Sequence, residues 1–196
     1  MRLSIVLPFL VPVAICLPTS SSADTETWTV TRLDYHYMTA WPGFGPPHMP
    51  WPPESYFNST ISLDVQIPNG SRANWTVTCE TSWPNGTLPT GGFGCLAKGT
   101  KEDLEGLGSV ESRIESYLSD DAPPEMPFRL SVSRALADGS SFSGSVNVSS
   151  DNSTAPTSYL TCMATAPLDG MRCKLHWLNN INLSNGQEMR IVAQKN

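Results

Sequence analysis

Apolar and polar residues alternate along most of the chain beyond residue 24, and the period is two. In "FNSTISLDVQI", Phe57, Ile61, Leu63, Val65 and Ile67 fall on one side, with Asn58, Thr60, Ser62, Asp64 and Gln66 on the other. This is the mark of a half-buried strand. Asn69-Gly70 follows and supplies the positive backbone angles of a tight hairpin turn. The partner strand, "NWTVTCE", turns Trp75, Val77 and Cys79 inward. Further strands are predicted in "ETWTVTRLDYHY", "FGCLAK", "PFRLSVSRA", "SFSGSVNVS", "SYLTCMATA", "MRCKLHW" and "QEMRIVAQ". About nine short strands separated by turn residues predict an all-β fold, a single antiparallel β-barrel or sandwich. One stretch departs from the pattern. Val110, Ile114 and Leu118 recur at helical spacing before Pro123-Pro124, which predicts a short helix near 110–118.

The first residues read differently. Arg2 precedes an apolar run from Leu3 to Leu17, and small residues follow up to Ala23. This is the composition of a secretory signal peptide over residues 1–23. The run contains two prolines and falls short of the ~20 apolar residues a spanning helix needs. The expectation is a secreted, extracellular protein with one domain over residues 24–196 and no membrane span. The formal net charge of the full chain is −6, and losing Arg2 with the leader makes it one unit more negative. Such a balance argues against nucleic acid, whose phosphates call for basic patches, and against anionic membrane surfaces.

Cys16 leaves with the leader, so Cys79, Cys95, Cys162 and Cys173 remain. An even number in a secreted chain predicts two disulfides, with three pairings open for four cysteines. Sequons for N-glycosylation stand at Asn58, Asn69, Asn74, Asn85, Asn147, Asn152 and Asn182, more than chance supplies, and predict a glycoprotein. Asn58, Asn74 and Asn147 fall on the outward side of their strands and Asn69 and Asn85 in turns, as a bulky hydrated modification requires.

The cysteine spacing within this β pattern, with "WTVTRLDY" near the mature start and "STISLDVQI" after it, resembles the Alternaria major allergen-like family of fungal secreted β-barrels. The resemblance covers most of residues 27–194. It implies Cys79–Cys95 and Cys162–Cys173 as local disulfides. It also implies a non-enzymatic role as an effector or allergen-like binding protein at a host or cell-wall surface. Some family members carry a further cysteine near the mature N-terminus that joins two chains. None stands between Ala23 and Thr78 here, so a monomer without a disulfide-linked dimer is expected.

Between the first two predicted strands lies "AWPGFGPPHMPWPPESYF", an insertion over residues 40–56 where hairpin connections typically take about 2–5 residues. Its prolines favour extended backbone that loses little entropy on binding. Trp41, Phe44, Trp51 and Tyr56 are residue types that anchor interfaces, so this loop is the candidate binding element. The competing role is a cap over one end of the barrel, and the two are compatible. The partner is then a host extracellular protein or cell-wall polysaccharide. A carbohydrate-active protein is the alternative, with Trp41, Trp51 and Trp83 stacking on sugars or paired carboxylates acting on a glycosidic bond.

Catalytic motifs are not evident. The chain has no G-x-S-x-G, and Gly91-Gly92-Phe93-Gly94 lacks the lysine of a phosphate loop. His36 and His176 sit among aromatic and apolar neighbours and read as surface or packing residues. His48 and Met49 alone make no metal site. No catalytic residue, metal or cofactor is assigned.

Overall fold

The computed structural model describes residues 24–39, 50–70, 72–84, 87–116, 126–164, 166–175 and 186–196. The predicted leader, Trp41, Phe44, His48, Asn85, Leu118, His176 and Asn182 lie outside them. Ten strands are present: β1 (Thr25–Tyr37), β2 (Ser59–Ile67), β3 (Trp75–Trp83), β4 (Phe93–Ala97), β5 (Ser109–Ser116), β6 (Phe128–Ala135), β7 (Ser141–Ser150), β8 (Ser158–Ala164), β9 (Met171–Leu175) and β10 (Met189–Lys195). Nine coincide with the strands read from alternation. The tenth, β5, stands where a helix was expected near 110–118. A spacing of four satisfies a helical stripe and also keeps Val110 and Ile114 on the same side of a strand. Pairing decides between them: all eight residues of β5 have partners on β6, from Ser109 opposite Ala135 to Ser116 opposite Phe128. Ser112, small and hydrogen-bonded to the Ser131 carbonyl, fills the buried position between them.

The strands form one sheet that closes in a ring. β1 to β7 run as an antiparallel meander. The gap between β7 and β1 is bridged twice, at opposite ends. β10 pairs with the start of β1, from Thr25 opposite Gln194 to Val30 opposite Met189, and with the start of β7 at Phe142 and Ser143. The β8–β9 hairpin fills the other end. β9 pairs with Asp34–Tyr37 of β1, while β8 lies beside Ser149 and Ser150 at the end of β7. This last pairing is parallel, the one exception to the expected antiparallel arrangement. It needs no long crossover because β8 starts where β7 ends, so the chain steps sideways and continues.

Close backbone approach makes each bridge dependent on a glycine. A Cβ at Gly144 would stand 2.5 Å from the Val192 carbonyl oxygen of β10. One at Gly170, whose φ is +68°, would stand 2.3 Å from the Tyr37 carbonyl oxygen of β1.

β1 reaches both bridges by changing face midway. Trp28 and Val30 point inward at even positions, Leu33 and Tyr35 at odd ones. A bulge between Val30 and Arg32 shifts the register against β2, and one unpaired residue is what reverses the alternation. The interior is filled by large side chains, among them Trp28, Leu33, Tyr35, Leu63, Phe128 and Met189.

Among the described residues, one charged side chain is buried in the core. Arg134, inward on β6 and 4% exposed, donates from Nη2 to Glu26 Oε1 at 2.8 Å. Its guanidinium carbon lies 5.6 Å from the Trp75 ring centroid and 5.1 Å from that of Phe142, and the positive charge is favoured over such faces. Trp28 Nε1 donates to the other Glu26 oxygen at 2.8 Å. Charge pairing, ring faces and a second donor reduce the cost of burying this pair, while Arg134 Nε and Nη1 are buried without a hydrogen-bond partner.

Candidate functional site

Pairing of β9, β1, β2 and β3 aligns their outward residues in rows. Lys174, Asp34, Ser62 and Glu80 form one row, and Arg172, His36, Thr60 and Ser82 the next. Arg32, Asp64 and Thr78 continue the pattern on the three strands β1, β2 and β3. The first two rows line a shallow depression of about 410 Å³.

Arg32 organises this face. Its Nε and Nη2 donate to the two oxygens of Asp64 at 2.9 and 3.1 Å, the bidentate geometry a guanidinium fork favours. Nη1 donates to Asp34 Oδ2 at 2.7 Å and Nη2 also to Ser62 Oγ at 2.8 Å. Thr78 Oγ1 donates to Asp64 at 2.7 Å, and Ser62 Oγ donates to Glu80 Oε1 at 2.7 Å. Arg32, and then the Thr78 hydroxyl, hold the Asp64 carboxyl below the usual carboxylate range against the opposing effect of burial. A carboxylate held ionised in this way is a fixed acceptor and a poor general acid. With the Arg32 side chain 39% exposed, solvent screening leaves the pair more value in fixing positions than in stability.

At the edge of the depression, His36 Nε2 meets the Asp169 carbonyl oxygen and lies 3.4 Å from its Oδ1. The same carboxylate takes two hydrogen bonds from Arg172, at 3.0 and 2.9 Å, which raise the Arg172 pKa. The His36 ring stacks on Phe57 at 4.4 Å between centroids, and Phe57 meets Trp51 edge-on at 5.9 Å. Trp51 is 6% exposed, and its Nε1 donates to the Thr39 carbonyl at 2.7 Å. That bond joins the two sides of the proline-rich loop at its stem. Tyr56, next to Phe57, is 59% exposed.

Of the four loop aromatics singled out by sequence, Trp51 is thus the clamp of the stem and Tyr56 its exposed neighbour. Trp41 and Phe44 lie outside the described residues. Trp83, considered for sugar stacking, is buried at 5% exposure and stacks on Tyr35 inside the ring. The charged rows were not recognised from sequence. Their outward positions are legible in the alternation, but the residues come from four strands up to 142 positions apart (Arg32 to Lys174), and only pairing joins them. Among the described residues, no group of three His, Cys, Asp or Glu is placed to hold a metal ion.

The disulfides are Cys79–Cys95, joining β3 to β4, and Cys162–Cys173, joining β8 to β9. Both are the pairs the family resemblance implies, and in each the cysteines stand directly opposite in register. Two intrachain disulfides fit a chain folded in an oxidising compartment. No helix among the described residues is long and apolar enough to cross a membrane. Of the sequon residues, Asn58, Asn74 and Asn152 are exposed, and Asn69 and Asn147 are half-buried. No protein-family model matches this chain, and comparison with curated proteins and with solved structures finds no significant match.

Proposed function

We propose that the chain is a secreted, non-enzymatic glycoprotein of the Alternaria major allergen-like kind, an effector-like binding protein that engages a partner protein outside the cell. The observation that carries this reading is the clamped stem. Trp51 ties the loop to the ring through Thr39, while Tyr56, next to Phe57 in the chain, is left exposed. Loop stem and rows are continuous through Trp51, Phe57 and His36, so a partner gripping the loop also meets fixed charges of both signs. Such charges select among partners and orient the encounter, while exposed aromatics supply the anchor.

Burial of Trp51 and Trp83 favours a protein over a polysaccharide partner, since neither ring offers a stacking platform. The cysteine pairing supports the family reading. The test is affinity capture from plant apoplastic fluid and from insoluble wall polysaccharide, with the secreted protein as bait. Parallel baits carry Tyr56→Ala or a Gly/Ser linker in place of Pro42–Pro53. One host protein retained by the first bait and lost with the linker is the expected result. Tyr56→Ala should weaken retention by roughly tenfold, as loss of an aromatic anchor does. Retention of polysaccharide alone, or equal behaviour of all baits, would overturn the proposal.

A further inference from the structure

Another depression lies at the other end of the ring from the proline-rich loop, because successive turns of a meander alternate between ends. Its volume is about 690 Å³, and Asn69, Asn74, Arg72, Lys98 and Glu102 line it around Trp75. Two of these residues, Asn69 and Asn74, head N-x-S/T sequons, in "NGS" and "NWT". The turn from β2 into β3 therefore delivers both acceptor side chains to one depression.

The opposite wall is the β4–β5 connection, and it is built to hold its shape. Trp75 Nε1 donates to the Asp103 carbonyl at 2.7 Å. The Asp103 carboxylate accepts from the Thr100 backbone N–H at 2.9 Å and the Thr100 hydroxyl at 2.8 Å. Leu107, at the end of the connection, is buried in the core. The result is a shaped depression beside the largely buried Trp75, with cationic and anionic groups around its rim. It matches the chemistry of a sugar attached at its own edge, with charged donors and acceptors for hydroxyl and acetamido groups and no need to recruit a ligand from solution.

We propose that this depression is the seat of the protein's own N-linked glycan, whose first sugars, carried on Asn74 or Asn69, lie against Arg72, Lys98 and the β4–β5 connection. Attachment makes the binding intramolecular, so weak contacts suffice to keep the sugar seated. The glycan then covers this end of the ring and leaves the loop end open.

The experiment uses protein secreted from a eukaryotic host. Site-resolved mass spectrometry follows release of each glycan by an endoglycosidase, on native and on denatured protein. The expected result is a glycan on Asn74 or Asn69 released roughly tenfold more slowly from native than from denatured protein, the size of effect that one or two hydrogen bonds produce. The double variant Arg72→Ala/Lys98→Ala, both exposed positions, should remove that protection without changing release at Asn58 or Asn152. Separate Asn69→Gln and Asn74→Gln variants identify the attachment point. The one that removes the seated glycan should speed amide exchange in residues 98–107. Absence of glycan from both asparagines, or release equally fast from native and denatured protein, would overturn the proposal.

Discussion

The two bridges that close the ring do the same topological work with different chemistry. The β10 bridge is held by burial and charge. Met189, Ile191 and Ala193 are fully buried, and Glu26 on β1 reaches Arg134 on β6 beneath it. Nothing covalent fastens it, and its register with β7 is short, Gln194 opposite Ser143 and Lys195 opposite Phe142. The β8–β9 bridge buries a smaller share of itself: Leu160 and Cys173 reach the core, but Met163 is exposed and Met171 and Leu175 are half-buried. It is stapled instead by Cys162–Cys173. A seam rich in core residues closes itself by the hydrophobic effect, worth about 1.5–3 kcal/mol for each fully buried Met or Ile. A short hairpin on the rim lacks that area and takes its order from a cross-link that restricts the unfolded chain. The difference predicts that the two bridges open separately, β10 through loss of packing or pairing and β8–β9 through reduction.

The largest expected effect comes from breaking the buried pair. Glu26→Ala leaves the Arg134 guanidinium without its carboxylate and should cost about 3–5 kcal/mol. A urea denaturation midpoint reads that loss, and amide exchange should locate it first in β10. If β8 and β9 lose protection at the same time, the bridges are not independent. Replacing Cys162 and Cys173 together by Ala should cost about 3 kcal/mol in the chain-entropy picture. It should also reverse the order of opening, with β8–β9 exchanging before β10.

Smaller changes sharpen the comparison. Gly144→Ala forces a methyl against the Val192 carbonyl and should cost about 1–3 kcal/mol through overpacking, felt at β10 alone. Gly170→Ala adds the strain of a positive φ to an equally close contact and should therefore exceed it, with its effect confined to β9. Indifference of either bridge to its own glycine would mean that the close approaches in the ring are relaxed in solution.

The smallest effect is a control on the outer face. Asp64→Asn touches neither bridge and should cost less than about 1 kcal/mol at neutral pH. Because the folded protein holds the Asp64 pKa below its ordinary value of 3.8, its stabilisation is present above that value. It is lost as pH falls through the lower folded value. Wild type and variant should therefore converge in acid, as denaturation curves at a series of pH values will show. A difference that persists at the lowest pH would assign the effect to shape and not to charge.

Much of this architecture is visible in local alternation, and its errors are informative. The change of face within β1 is written in the chain as a jump from Trp28 and Val30 to Leu33 and Tyr35. The inward position of Arg134 is likewise visible, since it shares parity with Phe128, Leu130 and Val132. The β5 segment was misread because three apolar residues at intervals of four fit two periods equally well. The candidate site was legible only in part. The loop stood out by length and composition, whereas the inward turn of Trp51 depends on a carbonyl twelve residues earlier.

Sequence by itself determined where the chain is extended, which side of most strands faces inward, and that four cysteines and a proline-rich insertion punctuate the pattern. These are properties of neighbours, and a period of two carries them. Tertiary structure alone decided that β10 and the β8–β9 hairpin share one gap, that Arg32 draws Asp34 and Asp64 together, and that Arg134 finds Glu26. Most of those outcomes join residues far apart in the chain, Arg32 and Asp64 by 32 positions, Glu26 and Arg134 by 108, and Thr25 and Gln194 by 169. They follow from which strand edges the meander leaves unpaired, and no local pattern records that.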